Sequence, residues 1–477
     1  MEASVQSYVH EIKEWKLEAN EENNDRYFLN IEEVSHVESG AASFVIGRKG
    51  CGKTAIAENI SGLQDYDTFV RRLSFKNFPF NELYKHKDVK YTSSQYITLW
   101  KYIIYSAVCE MMSNNESIDI EAKEPLKKAF DIDFSGALSR SISKITQQNA
   151  GLTIMKMGAT GSYAKTFFPN DTPWADRVDA LEVLISEYID DSKYYILFDE
   201  LDEDYKDVLD LDRRDQYFEL IKSLLKAVTH VRVALGRKFC VRPIVFLRDD
   251  IYDLVDDPDS NKWDDIAVKL KWSEERLKSL AAFRISRAVD QDGDLLTFDE
   301  AMAKLFRFKH IKFGFKQKGK RPVFNHILNR TLLRPRDVIS YIREVASIVY
   351  ETKHFANDDV IRDADEAFSI RFSKEFINEM HSVVPYIREV FDILSDIRKQ
   401  TLTIHEFEEK YNALREEKPE MLSFEITCRF LFHFSVIGNQ PSQSNTEVFK
   451  YKNQNARMNF NESIIIHRGL LKALQIV

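Results

Sequence analysis

One stretch constrains this chain more than any other: FVIGRKGCGKTAIAENI, residues 44–60. The apolar run Phe44, Val45, Ile46 reads as a buried strand, and Ala55, Ile56, Ala57 and Glu58 favour helix. Between them lies Gly47-Arg48-Lys49-Gly50-Cys51-Gly52-Lys53-Thr54, the pattern G-x-x-x-x-G-K-T in its strand–loop–helix setting. The chain has only 15 glycines, and three of them fall within these eight residues. Glycine lets successive amides turn inward without a Cβ clash, and with the helix start they form an anion cradle. The loop from Gly47 to Ala55 is therefore the expected phosphate site. Lys53 would reach the β- and γ-phosphates, and the Thr54 hydroxyl would bind Mg²⁺. A chance glycine-rich turn would not bring both flanks with it.

At 477 residues two or three domains are expected. Hydrophobic content of 44% can fill substantial cores, and 30% charged residues give a well-solvated surface. No apolar run is long enough to span a bilayer, and the charged, amphipathic start lacks a signal-peptide core, so a cytoplasmic location is expected. Cys51, Cys109, Cys240 and Cys428 are scattered without metal-ligand spacing, which argues against a zinc site or disulfide framework. A net charge of −9 argues against coating nucleic acid with the whole surface but leaves room for a local basic site.

Strands are expected at 43–47, 68–75, within 193–204, at 242–250 and at 265–272. Helices are expected at 52–62, 93–112, 172–191, 213–235 and 273–289. Short apolar strands alternating with helices imply a parallel sheet covered on both faces. Four parts are expected: an N-terminal helical segment (1–40), a nucleotide-binding core (41–290) with an insertion at about 113–173, a basic and helical stretch (291–366), and a small C-terminal domain (367–477).

Three further elements carry candidate chemistry. Tyr195-Ile196-Leu197-Phe198-Asp199-Glu200 reads as a buried strand delivering two carboxylates. Asp199 would hold Mg²⁺ through water opposite Thr54, and Glu200 would orient the attacking water. Asp202 reads as a solvated or capping residue. Ile244-Val245-Phe246-Leu247-Arg248 ends the next strand in an arginine suited to sensing the γ-phosphate, although Asp249, Asp250 and Asp253 offer it local partners. Leu333-Arg334-Pro335-Arg336-Asp337 starts a helix that would present a second sensor, with Arg336 preferred to Arg334 and a salt bridge to a core acid as the competing reading. Cys51 lies near Lys53 and a helix start, both of which lower a thiol pKa. The plainer reading, a small residue that fits the loop, is preferred.

Together GRKGCGKT (47–54), ILFDELD (196–202), FLRDD (246–250) and LRPRD (333–337) resemble the P-loop ATPases with an additional catalytic glutamate, the class of AAA+ and STAND proteins, and bacterial members found in anti-phage defence loci. The resemblance covers roughly residues 40–345. It implies a five-stranded parallel α/β core, a helical lid, a mainly α C-terminal domain often of winged-helix type, and ATP and Mg²⁺ as ligands. It implies an ATP hydrolase that works as a nucleotide-driven switch; a slow-turnover ATP-binding scaffold recruiting an effector protein is the alternative. Two departures stand out: the long insertion between Lys53 and Asp199, and the lack of an identifiable arginine finger, which leaves nucleotide-dependent homo-oligomer formation open.

Residues 301–336 hold eleven Lys/Arg and no Asp/Glu, interleaved with Phe306, Phe308, Phe313, Phe315 and Phe324. DNA or RNA contact is one reading. A hairpin burying alternate phenylalanines, bent at Gly314, is the other. The C-terminal segment, through 403–414, 425–438, 448–453 and 460–474, reads as helix, helix, two strands and a final helix. This is compatible with a winged helix whose recognition helix carries Glu406, Glu408 and Glu409. That acidity favours protein over DNA. His467 and Arg468 read as packing and capping residues.

Overall fold

The computed structural model describes residues 3–75, 93–130, 153–157, 163–167, 174–204, 211–235, 240–255, 257–313, 319–442 and 446–476. The chain divides into two compact units, residues 30–271 and residues 1–29 with 272–477.

The first unit is built on five parallel strands: β1 (Phe44–Ile46), β2 (Thr68–Ser74), β3 (Lys193–Asp199), β4 (Val241–Leu247) and β5 (Ala267–Lys269). Their order across the sheet is β2-β3-β4-β1-β5. β1 is buried throughout, and β3 is buried from Tyr194 to Asp199, as expected of strands covered on both faces. Helices Ser93–Asn114, Trp174–Tyr188 and Leu211–Leu235 supply much of the cover. Trp100 is fully buried, packs edge-on against Phe198 at 6.0 Å, and donates its indole N–H to the Leu220 carbonyl. Within the expected insertion the first helix runs on to Asn114. A second helix (Ile120–Phe130) and an antiparallel pair (Thr153–Met157 with Tyr163–Phe167) follow. The first two residues of the expected helix 172–191, Thr172 and Pro173, lie outside the described residues.

The second unit brings the two ends of the chain together, which corrects the expected N-terminal segment and core boundaries. Residues 1–29 do not lead into the nucleotide core, and helix Glu274–Val289 does not close it; they belong with each other. Arg284 explains the attachment. It is 5% exposed, ion-paired with Glu22, and lies over the rings of Trp15 and Tyr27 at 4.6 and 4.7 Å. A buried guanidinium is tolerated only with such partners. The expected boundary at 366 also fails, because helix Asp358–Met380 runs through it unbroken, capped at its start by Asn357.

The C-terminal part follows the order helix (Ile387–Ile397), strand (Thr401–Leu402), helix (Ile404–Glu417), helix (Phe424–His433), strand (Ile437–Gln440), strand (Ser463–Ile466). The last strand lies between the other two, antiparallel to both. This is a winged-helix topology, but three expectations change. The second strand is Ile437–Gln440, and Val448 makes only an isolated bridge to Asn439. The final helix is instead strand Ser463–Ile466 and a short turn at Arg468–Leu470, capped by the His467 ring. The helix in the recognition position is Phe424–His433, not the acidic 403–414 helix. No helix among the described residues is long and apolar enough to cross a membrane.

Candidate functional site

The loop after β1 has the backbone its sequence calls for. Gly50 and Gly52 sit at φ +78° and +104°, where a side chain would be strained. Helix Lys53–Ser61 starts on Gly52 with no side-chain cap, so its first-turn amides keep their donors for an anion. Lys53 folds back over the loop and donates from Nζ to the carbonyls of Gly47 (2.8 Å) and Arg48 (3.1 Å). Thr54 follows as the second residue of the helix. Cys51 is 4% exposed, and a methyl group on Gly47 would lie 2.6 Å from its Sγ. Burial pushes the Cys51 thiol above its ordinary value and outweighs the pull of Lys53. That agrees with the preferred reading of Cys51 as a small residue that fits the loop. Alkylation followed by peptide mass mapping should find Cys51 slow to react in the native protein and fast in denaturant, and the modified protein should no longer bind ATP.

The registers carry the remaining groups to the same edge of the sheet. Ile46 pairs with Leu247, Phe198 with Val245 and Ser74 with Asp199. The loops leaving β1, β3 and β4 therefore open at one carboxyl end, where parallel α/β sheets bind ligands. Asp199 closes β3 at 3% exposure. Its Oδ1 accepts the Glu200 amide at 2.9 Å, and its Oδ2 accepts from Arg72 Nη2 at 2.7 Å. Burial raises the Asp199 carboxyl above its usual value despite Arg72. Arg72 also pairs with Glu58 of the loop's helix. Glu200 has φ +62°, a backbone strain of order 1–3 kcal/mol of the kind that collects at functional sites. Ser74 Oγ hydrogen-bonds Glu200 Oε2. Arg72 and Ser74 were missed in the sequence. They sit on β2, and their alternation with apolar neighbours in TFVRRLS was the available signal.

Arg248 stands where expected, at the end of β4, but its Nε and Nη2 fork Asp250 at 2.9 and 2.5 Å, and Nη1 lies 3.7 Å from Asp202. The local pairing is thus the observed one in this structure. In the second unit, Arg334 is buried and forked by Asp337, with Nη2 to Oδ1 at 2.8 Å. This leaves Arg336 nearer the surface, where it meets Glu18 at 2.8 and 2.9 Å.

The basic run divides the same way. Arg330 and Arg334 pair with Asp365 and Asp337, and Lys309 with Asp299. Phe306 and Phe324 are buried but lie outside the hairpin His310–Phe313/Gly319–Pro322, in the residue closing helix Phe298–Leu305 and in helix Val323–Leu328, while Arg307, Lys309, Lys312 and Lys320 are exposed on or beside it. Phe313 has no described side chain, and Gly314 and Phe315 lie outside the described residues.

Uncapped amides, left-handed glycines, a lysine, a helix threonine and an acid pair on a nearby strand fit a magnesium-bound nucleoside triphosphate. The fold is a five-stranded parallel α/β sheet in the order β2-β3-β4-β1-β5, the AAA+ strand order, with a phosphate-loop backbone after β1. Residues 275–376 match the family model FunZ_C, the FunZ-associated C-terminal helical domain. Over 465 residues the chain is 21% identical to the putative transposon gamma-delta 80.3 kDa protein of Escherichia coli K12. The match takes in 90% of this chain and 62% of that protein, so the chain spans less than two thirds of its curated relative's length. Among solved structures, Cdc6p from Pyrobaculum aerophilum covers 91% of this chain and 86% of its own at 11% identity and TM-score 0.29. The Aeropyrum pernix ORC1 protein in complex with DNA covers 98% and 91% at 9% and 0.35. Drosophila ORC bound to DNA covers 100% and 92% at 10% and 0.29.

Proposed function

We propose that the chain is a magnesium-dependent ATP hydrolase that acts as a nucleotide-driven switch in a regulatory, defence or nucleic-acid-associated machine. The single observation that carries this reading is the joint arrival of the Lys53–Thr54 loop and the Asp199–Glu200 pair at one edge of the sheet. Loop amides and Lys53 bind the β- and γ-phosphates, with Lys53 leaving the carbonyls it now holds. Thr54 and Asp199 hold the metal, which supplies charge neutralisation at the phosphates when bound. Glu200 polarises the water for in-line attack. Arg248 and Arg336 are the proposed reporters of the γ-phosphate; each is ion-paired here, to Asp250 and to Glu18, and would have to exchange that partner.

The exposed lysines and arginine around the 310–322 hairpin support a phosphate-backbone partner, DNA or RNA. Steady-state hydrolysis with and without DNA tests the whole reading: turnover abolished by Lys53→Ala and raised several-fold by DNA is the expected result. Stoichiometric retention of ATP with DNA-independent turnover would favour the second reading, a slow scaffold that recruits an effector protein. The Ser74–Glu200 hydrogen bond favours that second reading to the extent that it holds the water-activating carboxylate on β2.

A further inference from the structure

We propose that Arg72 is a positioning residue that stands in for the divalent cation on Asp199, and that magnesium arriving with nucleotide has to displace it. The inference rests on the ATPase reading above and deepens it. Both oxygens of the Asp199 carboxylate are already in use, Oδ1 by the Glu200 amide and Oδ2 by Arg72 Nη2 at 2.7 Å. The Arg72 side chain is 24% exposed and that of Asp199 is 4% exposed, so water does little to neutralise the acid. The same guanidinium reaches Glu58 through Nη1, so one fixed cation bridges the sheet acid and the phosphate-loop helix. Its Nε is buried without a partner, leaving the two outer nitrogens as the ones at work. Among the described residues no group of three or more His, Cys, Asp and Glu assembles a metal site. Without its own ligand cluster the site takes its metal with the triphosphate, and until then Arg72 supplies the positive charge the buried acid requires. Glu58 sets how firmly Arg72 holds Asp199, because the two acids share it.

The test is the gain in affinity for a fluorescent, nonhydrolysable ATP analogue when Mg²⁺ replaces EDTA, measured as the ratio of the two dissociation constants. In Arg72→Met the metal no longer competes with a fixed cation, and the ratio is expected to rise about tenfold, the scale of one partly buried charged pair. Arg72→Lys should restore a ratio near wild type. Glu58→Gln should move it the other way, since Arg72 is then left to Asp199 alone. A purely structural Arg72 would weaken binding equally with and without metal, and an unchanged or lowered ratio in Arg72→Met overturns the proposal. If Arg72→Met does not fold, Glu58→Gln decides: a ratio equal to or above wild type overturns it. Wild-type protein that binds no magnesium–nucleotide under any condition would instead end the ATPase reading itself.

Discussion

Glu200→Gln is expected to bind ATP and keep it, with single-turnover hydrolysis slowed by about 10²–10⁴, the range for loss of a positioned general base. The substitution keeps the side-chain shape and the capacity to accept from Ser74, so neither the φ +62° backbone nor the β2 contact need change. What is lost is the charge that draws a proton from water. Lys53→Ala should differ in kind: it removes the cation that meets the β- and γ-phosphates, so binding itself fails and no trapped complex forms. Filter retention of labelled ATP, read beside phosphate release, separates the two variants. Wild-type phosphate release from Glu200→Gln would remove Glu200 from the water-activating role while leaving the phosphate loop in place.

The second large effect is on stability. Asp365→Ala should destabilise the helical unit by about 3–5 kcal/mol, the usual consequence of stripping one partner from a buried charged network. Asp365 is 5% exposed and receives Arg330 Nε at 2.6 Å, the Tyr341 hydroxyl at 2.6 Å and His326 Nε2 at 3.1 Å. Removing it strands the Tyr341 phenol and the His326 imidazole in the interior and leaves the half-buried Arg330 guanidinium to the His326 carbonyl. Burial works to raise the Asp365 carboxyl, but the hydrogen bond from His326 and the charge of Arg330 outweigh it and hold the carboxyl below its usual value. Burial likewise holds His326 below its ordinary value, so it is neutral in this network. Both shifts act with the same sign. As pH falls below about 6.5 the unfolded chain takes up a proton that folded His326 resists, and further down it takes up one that Asp365 resists, so stability is full near neutrality and declines on the acid side. Urea titration across that range should show both declines in wild type, whereas Asp365→Ala should lose the carboxylate step at lower pH and keep the one from His326, which no longer has Asp365 to favour its protonated form. A loss below about 1 kcal/mol would mean that water already solvates the network.

The five-stranded α/β unit was legible because its signals are local. A phosphate loop needs glycines at fixed offsets, buried parallel strands need unbroken apolar runs, and β1, β3 and β4 carry both within a few residues. The carboxylates followed from where such a strand must end. Arg72 and Ser74 did not, because an Arg-Arg pair in a strand says nothing about which neighbour it will face until the register sets Ser74 beside Asp199. The pairing of Arg248 with Asp250 was legible as an alternative, and the choice turned on side-chain rotamers that spacing does not fix. Long-range order was least readable. Trp15, Glu22 and Tyr27 gave no hint that their partner lay more than 250 residues away at Arg284. The wing strands were misplaced because Ser463–Ile466 is short and adjoins a helix-favouring tail.

That distant attachment has a bearing on biosynthesis. Residues 3–29 leave the ribosome before residues 30–271, yet the helices they rest on, Glu274–Val289 and Pro335–Thr352, are made only after that whole α/β unit. Trp15 and Tyr27 must therefore wait with their rings uncovered while residues 30–271 condense, a delay that exposes nascent chains to chaperones and to mispairing between copies.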